Sequence, residues 1–406
     1  MLQIASCQYM ITPEYPTYME GYFGRVERSQ GKYDDLQGKT LLISMNGSFL
    51  LFVVLDVIAV SKRYVITLKK ILYEKFKMNP CRIIISAVHT HSGPAMFPIV
   101  VEGIEYDREY EKLLTDRIAK SVEYCLKELE EVSVYLAKGI IDGYYGNRNV
   151  YNGIADKDVS VLEFRKSDGT IKDCIVNLAC HPTILGSDNL YYSADVIGTI
   201  RSGLEKEWKV CPLIINGDCG DISTRFYRQG QGYKEVIRVG YGIAKEILKI
   251  NTRELLSVDH LSVKHVNIPV KYIPQMDSFL SNAIEKMEYA LENAEDGKQY
   301  CSTNQLLNIL YKRKNKKNIT YTLNSYIYTL GDIRIVTIPG ELTAELGSRI
   351  KERSNKKCTI ISCYTNDYVS YLVPRNDYGK YFETFMSESP FGKADEFIDK
   401  IIDNFI

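Results

Sequence analysis

Apolar runs of strand length recur along this chain, and stretches with helical spacing separate them. That alternation limits the fold more than any other feature. Residues 82–88 read Arg-Ile-Ile-Ile-Ser-Ala-Val, a short continuous apolar run of the kind found in a strand covered on both faces. Just before it, 62–78 places apolar residues at 65, 68, 71, 72 and 76, one face of a helix. The same reading predicts strands over 3–11, 39–60 (with a turn at Asn46-Gly47), 133–141, 159–165, 172–179, 212–215, 257–270, 320–328, 333–338 and 359–364. It predicts further helices over 106–131, 196–208, 234–249, 276–293 and 342–353. Residues 294–319 are polar and end in Lys312-Arg313-Lys314-Asn315-Lys316-Lys317-Asn318. They read as a solvated loop, with a basic lid over an acidic ligand as the other reading of the charge run. Strands interleaved with helices, without repeats or a Pro-, Gly- or Ser-rich linker, make an α/β chain. The expected architecture is a mixed β-sheet core flanked by helices, in one large catalytic domain over 1–406.

Composition removes several function classes. Lys plus Arg and Asp plus Glu each number 51, so the chain has no electrostatic footprint for nucleic acid or an anionic membrane surface. Hydrophobic residues at 45% and charged residues at 25% supply enough apolar surface for a core and exclude disorder as the main state. No run approaches the ~18 apolar residues of a spanning helix. The first eight residues lack the basic start and apolar stretch of a signal peptide. A cytoplasmic protein with no stable membrane insertion is therefore expected. Ten cysteines include no Cys-x-x-Cys pair, and several sit in apolar runs. They read as reduced, buried, small hydrophobes.

The residues able to do chemistry are few and grouped. Of five histidines, three directly follow a strand: His89 and His91 in Val88-His89-Thr90-His91-Ser92-Gly93-Pro94, and His181 in Ala179-Cys180-His181-Pro182. Strand ends are where α/β proteins collect site residues. A His-x-His pair puts both imidazoles on one face. One or both rings can then meet a metal, or one can bind while the other acts on substrate. His260 and His265 lie in an alternating strand and read as sheet residues. The segment Asn216-Gly217-Asp218-Cys219-Gly220-Asp221-Ile222-Ser223 offers carboxylates and a hydroxyl on a glycine-rich loop. It is either a ligand site or a tight turn held by Asx hydrogen bonds. Glu341, after Ile338-Pro339-Gly340, sits where a helix dipole already favours a carboxylate, so its residues alone favour a capping role.

Taken together and in order, these segments resemble the neutral (non-lysosomal) ceramidase family, specifically its N-terminal catalytic domain. The resemblance rests on Ile11-Thr12-Pro13, Gly21-Tyr22, Leu55-Asp56, His89-Thr90-His91-Ser92-Gly93-Pro94, Asn147-Arg148 and Ala179-Cys180-His181. It continues through Ser193-Ala194-Asp195-Val196-Ile197-Gly198, Gly220-Asp221-Ile222-Ser223, Pro339-Gly340-Glu341 and Asn366-Asp367-Tyr368-Val369-Ser370-Tyr371. The chain departs from the family at Ala95-Met96, where two glycines are usual, and it reads as a short form without the export signal or the C-terminal sandwich domain.

The resemblance implies one zinc per chain, held by His89, His181, Glu341 and Tyr371. It implies His91, Arg148 and Ser223 as catalytic residues lining the substrate site, with Ser223 either nucleophile or hydrogen-bonding group. The implied reaction is attack of zinc-bound water on an amide carbonyl, with His91 passing a proton to the leaving amine. Tyr371, Ser223 or Arg148 would donate to the oxyanion. The expected activity is zinc-dependent hydrolysis of an N-acyl amide, either ceramide-like or another N-acylated small molecule or peptide. Two other readings are a two-metal esterase or phosphoesterase built from Asp56, Asp218 and Asp221 beside His89 and His181, and a ligand-binding relative without catalysis.

Overall fold

The computed structural model describes residues 1–96, 99 and 106–405. Among them, three larger sheets share one plan: each is mostly antiparallel and carries one parallel pair at an edge. The first sheet runs Ile83–Ala87, Ser48–Leu55, Gln37–Met45, Leu2–Met10, Glu130–Glu131. Asn46 (φ 50°) and Gly47 (φ 77°) both take left-handed backbone, the two-residue turn that joins twisted antiparallel strands. The second sheet runs Leu213–Asn216, Ile171–Leu178, Asp158–Arg165, Ser133–Ile140, Glu254–Leu255, and the third Leu261–Tyr272, Ile319–Leu330, Ile333–Thr337, Cys358–Ser362.

Nine α-helices flank the sheets among the described residues: α1 Lys62–Phe76, α2 Arg108–Lys127, α3 Asp195–Trp208, α4 Tyr233–Leu248, α5 Ser278–Glu292, α6 Gly297–Lys314, α7 Ala344–Arg353, α8 Phe382–Met386 and α9 Lys393–Asp403. Ser61 caps α1 by accepting from Tyr64 N, and Tyr64, Val65, Leu68 and Leu72 bury its core face, as the apolar spacing predicts. None of the helices is long and apolar enough to cross a membrane. The mixed α/β core with flanking helices matches the sequence expectation.

The expected loop over 294–319 is instead mostly α6. Asp296 caps it by accepting from Gln299 N, and Leu306, Leu307 and Leu310 bury a short stripe against α5. Arg313, from the basic run, is itself buried and donates to the carbonyls of Phe385, Ser387 and Met386. The helix was hidden because so few apolar residues define its inner face.

What positions the site is the meeting of the three parallel edges. Two buried asparagines cross between sheets. Asn177 Nδ2 donates to Ile215 O (3.0 Å) and to Ile361 O (3.1 Å). Asn216 Nδ2 donates to Val88 O (2.9 Å) and Cys180 O (3.1 Å). Backbone bonds from Cys363 N to Asn216 O and from Asn366 N to Ile85 O complete the seam. The C-terminal ends of strands from all three sheets therefore open on one place, as ligand sites in open α/β sheets do.

Candidate functional site

His89 leaves the strand Ile83–Ala87 with left-handed backbone (φ 72°), a conformation a non-glycine residue holds only where its surroundings insist. Its Nδ1 lies 2.7 Å from Ile58 O, and His181 Nδ1 lies 3.1 Å from Cys219 O. A carbonyl only accepts, so each ring carries a proton on Nδ1 and, when neutral, presents a bare Nε2. His91 Nε2 lies 3.3 Å from His89 Nε2 and 3.2 Å from His181 Nε2. Burial holds both the His91 and the His181 imidazole well below the usual value, so these two rings are neutral.

Glu341 closes the group from the third sheet. Its Oε2 is 3.3 Å from His89 Nε2 and 3.8 Å from His181 Nε2, and this buried oxygen accepts no hydrogen bond. Its Oε1 accepts from the Tyr368 hydroxyl at 2.5 Å. An unpartnered carboxylate oxygen facing bare imidazole nitrogens is repulsive in a dry interior. A divalent cation would resolve that repulsion. The three imidazoles form a buried or half-buried group with mutual ligand-atom distances within 4.8 Å, and nitrogen plus carboxylate donors suit zinc. The carbonyls behind His89 and His181 and the hydroxyl behind Glu341 are the outer partners such a site uses. The residues present fit the metal.

A cavity of about 390 Å³ opens over this group. The short antiparallel ladder of Gly146–Asn147 against Ile222–Ser223 sets Arg148 and Ser223 side by side on its wall. Arg148 N donates to Asp221 O at 2.7 Å. The Arg148 guanidinium is held by Glu383 (Nε to Oε1, 2.7 Å) and donates to the Tyr371 hydroxyl (Nη2, 3.1 Å). Burial works against its charge, but Tyr371 and Glu383 outweigh that and keep it protonated. Tyr371 stands beside Glu341 because Glu341–Leu342 pairs with Tyr371–Leu372 in parallel. Ser223 Oγ accepts from Arg225 N at 3.2 Å. Phe23, Phe382 and Met386 give the cavity an apolar end. Gly21 (φ +113°) backs His91 so closely that a Cβ there would lie 2.6 Å from the ring.

Every residue expected in the site gathers here: His89, His91, Glu341, Tyr371, Arg148 and Ser223 line the cavity, and His181 joins through the imidazole group. His91, which the resemblance puts at the substrate and not on the metal, also places its Nε2 among the ligand atoms. Tyr371, expected as a ligand, has its hydroxyl engaged by Arg148, while Tyr368 touches Glu341. Asp56 is instead paired twice with Arg201 (2.9 and 2.6 Å). Asp221 accepts from Ala344 N and Asn147 Nδ2, and Asp218 is buried against Gly347. None of these three joins the imidazoles. His265 lies exposed on the strand Leu261–Tyr272, with His260 exposed just before it.

Residue patterns alone missed three partners. Tyr364 stacks on His89 with ring centroids 4.0 Å apart. Tyr368 sits inside a segment already singled out, three residues before the tyrosine expected. Glu383, buried at the start of α8, carries no motif that marks it.

The sequence matches no protein-family model. The structure is similar to that of neutral ceramidase from Pseudomonas aeruginosa, with a TM-score of 0.76 and 17% identity over 99% of this chain and 74% of that one. It is equally similar to a ceramidase complexed with C2, with a TM-score of 0.76 and 16% identity over the same shares. The chain has the neutral ceramidase fold.

Proposed function

We propose that this protein is a zinc-dependent amidohydrolase that cleaves N-acyl amide bonds. The observation that carries the reading is the unpartnered Glu341 oxygen facing the bare nitrogens of His89 and His181 at the floor of a cleft walled by a charged arginine. The shared fold with ceramidases supports it. His89, His181 and Glu341 would hold the cation, with His91 or Tyr371 completing the set. Bound there, zinc would polarise an amide carbonyl and make a water acidic enough to act near neutral pH.

The protein's own groups supply the rest. Arg148, fixed by Glu383, presents a guanidinium to the carbonyl oxygen as negative charge develops there. Ser223 adds a hydroxyl on the same wall, and each such donor contributes about 3–4 kcal/mol to a transition state. His91, neutral through burial, can take a proton and return it to the departing amine. Phe23, Phe382 and Met386 receive the acyl chain and exclude water.

The substrate we favour is a single-chain or short-chain N-acyl amide, such as an acylated amino acid or peptide. A cavity of about 390 Å³ is near the small end of ligand pockets, which span about 300–1,000 Å³. Lifting a long chain from a bilayer also costs about 0.8 kcal/mol per CH₂. The test is kcat/KM for the zinc-loaded protein on a series of N-acyl amides and on long-chain ceramide in one detergent. Turnover of the short amides above that of ceramide is expected. A preference for long-chain ceramide would overturn the substrate, and no amide turnover at all would overturn the activity.

A further inference from the structure

On the far side of the segment that carries Tyr364 and Tyr368, a second cavity holds a lysine for which the fold provides no acid. Lys69, in the middle of α1, is only 9% exposed. Its ammonium lies 5.5 Å from the centre of the Tyr326 ring. Among the described residues it has no hydrogen-bond or ion-pair partner. Burial lowers its pKa to about 8, with Cys81 the opposing influence. A buried ammonium without an anion is costly.

The cavity has a volume of about 600 Å³ and shares no lining residue with the cleft over the histidines. Its walls combine two kinds of surface. Lys62 and Lys70 stand beside Lys69 along α1, and Thr322, Asn324 and Tyr326 come from alternate positions of one strand face. Val65, Ile66, Pro80 and Pro339 supply apolar floor. One acid, Asp367, lines the cavity, and its Oδ1 already accepts from Tyr368 N at 2.8 Å. Lys70 already pairs with Glu74 one turn along α1 at 3.8 Å, so Lys62 and Lys69 against one engaged carboxylate leave the groove positive. The aromatic and aliphatic floor is far larger than a bare oxyanion needs.

We propose that this groove binds an organic oxyanion, a phosphate or carboxylate group on a compact apolar body, with Lys69 pairing the charge and Tyr326 and Val65 covering the body. The proposal is independent of the amide hydrolysis argued above. An ion pair at a site this buried is screened less by salt than one at the surface, and the amine stays charged once the anion is beside it.

Calorimetric titration of the full chain at constant ionic strength tests it, with phenyl phosphate, hexanoate and inorganic phosphate as separate probes. Saturable one-to-one binding of phenyl phosphate or hexanoate is expected, at least tenfold tighter than inorganic phosphate. Whichever of the two binds tighter names the head group. Lys69→Met should weaken that binding tenfold or more, and Lys69→Arg should retain it within about threefold. Labelling of wild-type lysines by an amine-reactive reagent, read by mass spectrometry, gives a second readout that needs no variant. The bound probe should protect Lys69 and leave Lys298, exposed elsewhere, unprotected. Absence of saturable binding by both organic probes, wild-type affinity in Lys69→Met, or no protection of Lys69 would each overturn the proposal.

Discussion

Replacing Asn216 with alanine should loosen the seam between sheets and the metal centre together. Asn216 is 2% exposed. Its Nδ2 donates to Val88 O and Cys180 O at 2.9 and 3.1 Å, and its Oδ1 accepts from Cys180 N at 3.2 Å. Alanine removes all three bonds. It also leaves two carbonyls and one amide in a dry interior, where an unsatisfied group costs about 1–3 kcal/mol. A water entering the vacated space would recover part of that. The expected destabilisation is therefore about 3–5 kcal/mol, a large share of the roughly 5–15 kcal/mol that holds a typical native protein together. Val88 and Cys180 directly precede His89 and His181, so zinc affinity should also fall at least tenfold. Urea unfolding followed by far-UV circular dichroism, comparing midpoints at equal slope, measures the first effect. Asn216→Asp keeps the shape but turns a donor toward two carbonyls into an acceptor, and should lose at least as much. An alanine variant within about 1 kcal/mol of wild type, with unchanged zinc affinity, would refute the claim that this side chain joins the sheets at the site.

Three further outcomes are expected. Ser223→Ala should lower amide turnover roughly tenfold or more with zinc content unchanged, and normal turnover would reduce Ser223 to a turn residue. Gly21→Ala forces a Cβ onto His91 at a positive φ and should cost about 1–3 kcal/mol; a urea midpoint equal to wild type would show that this backbone yields freely. Burial raises the Asp195 carboxyl from 3.8 to about 6 against the opposing N–H groups of Leu185, Val196 and Ile184. Folding thus favours its protonated form, and the stability it adds is full below about 3.8 and lost as pH rises through about 6. Wild type should therefore gain about 1.4 kcal/mol relative to Asp195→Asn between pH 7 and pH 5; a flat or opposite difference would contradict the reading.

Local signals were legible where burial and turn chemistry agree. The Ile83-Ile84-Ile85 run, the Asn46-Gly47 turn and the spacing in 62–78 each led to the observed element, because each is decided within a dozen residues. The α6 helix was not legible, because tertiary packing of three leucines against α5 outweighs the polar composition around them. The convergence of the strand ends was invisible for a different reason. Asn177, Asn216 and Glu341 meet partners on elements far away in the chain, and single-chain periodicity says nothing of such pairing. Glu341 shows this most clearly. Its own neighbours favour a helix cap, yet the strand pairing with Tyr371–Leu372 turns it toward the imidazoles. Glu383, which orients Arg148, sits in a segment for which the sequence pattern predicts no element. The ordered set of motifs, compared with a known family, supplied what residue patterns could not.

The claim that matters most is that one divalent cation belongs between His89, His181 and Glu341. Calorimetric titration of zinc into chelator-treated protein, alongside Glu341→Gln and His89→Ala, tests it without any substrate. The account predicts one site per chain in the wild type, binding weakened at least tenfold in Glu341→Gln and abolished in His89→Ala, with all three proteins equally folded by circular dichroism. Absent or non-stoichiometric binding in the wild type, or equal affinity in the variants, would contradict it.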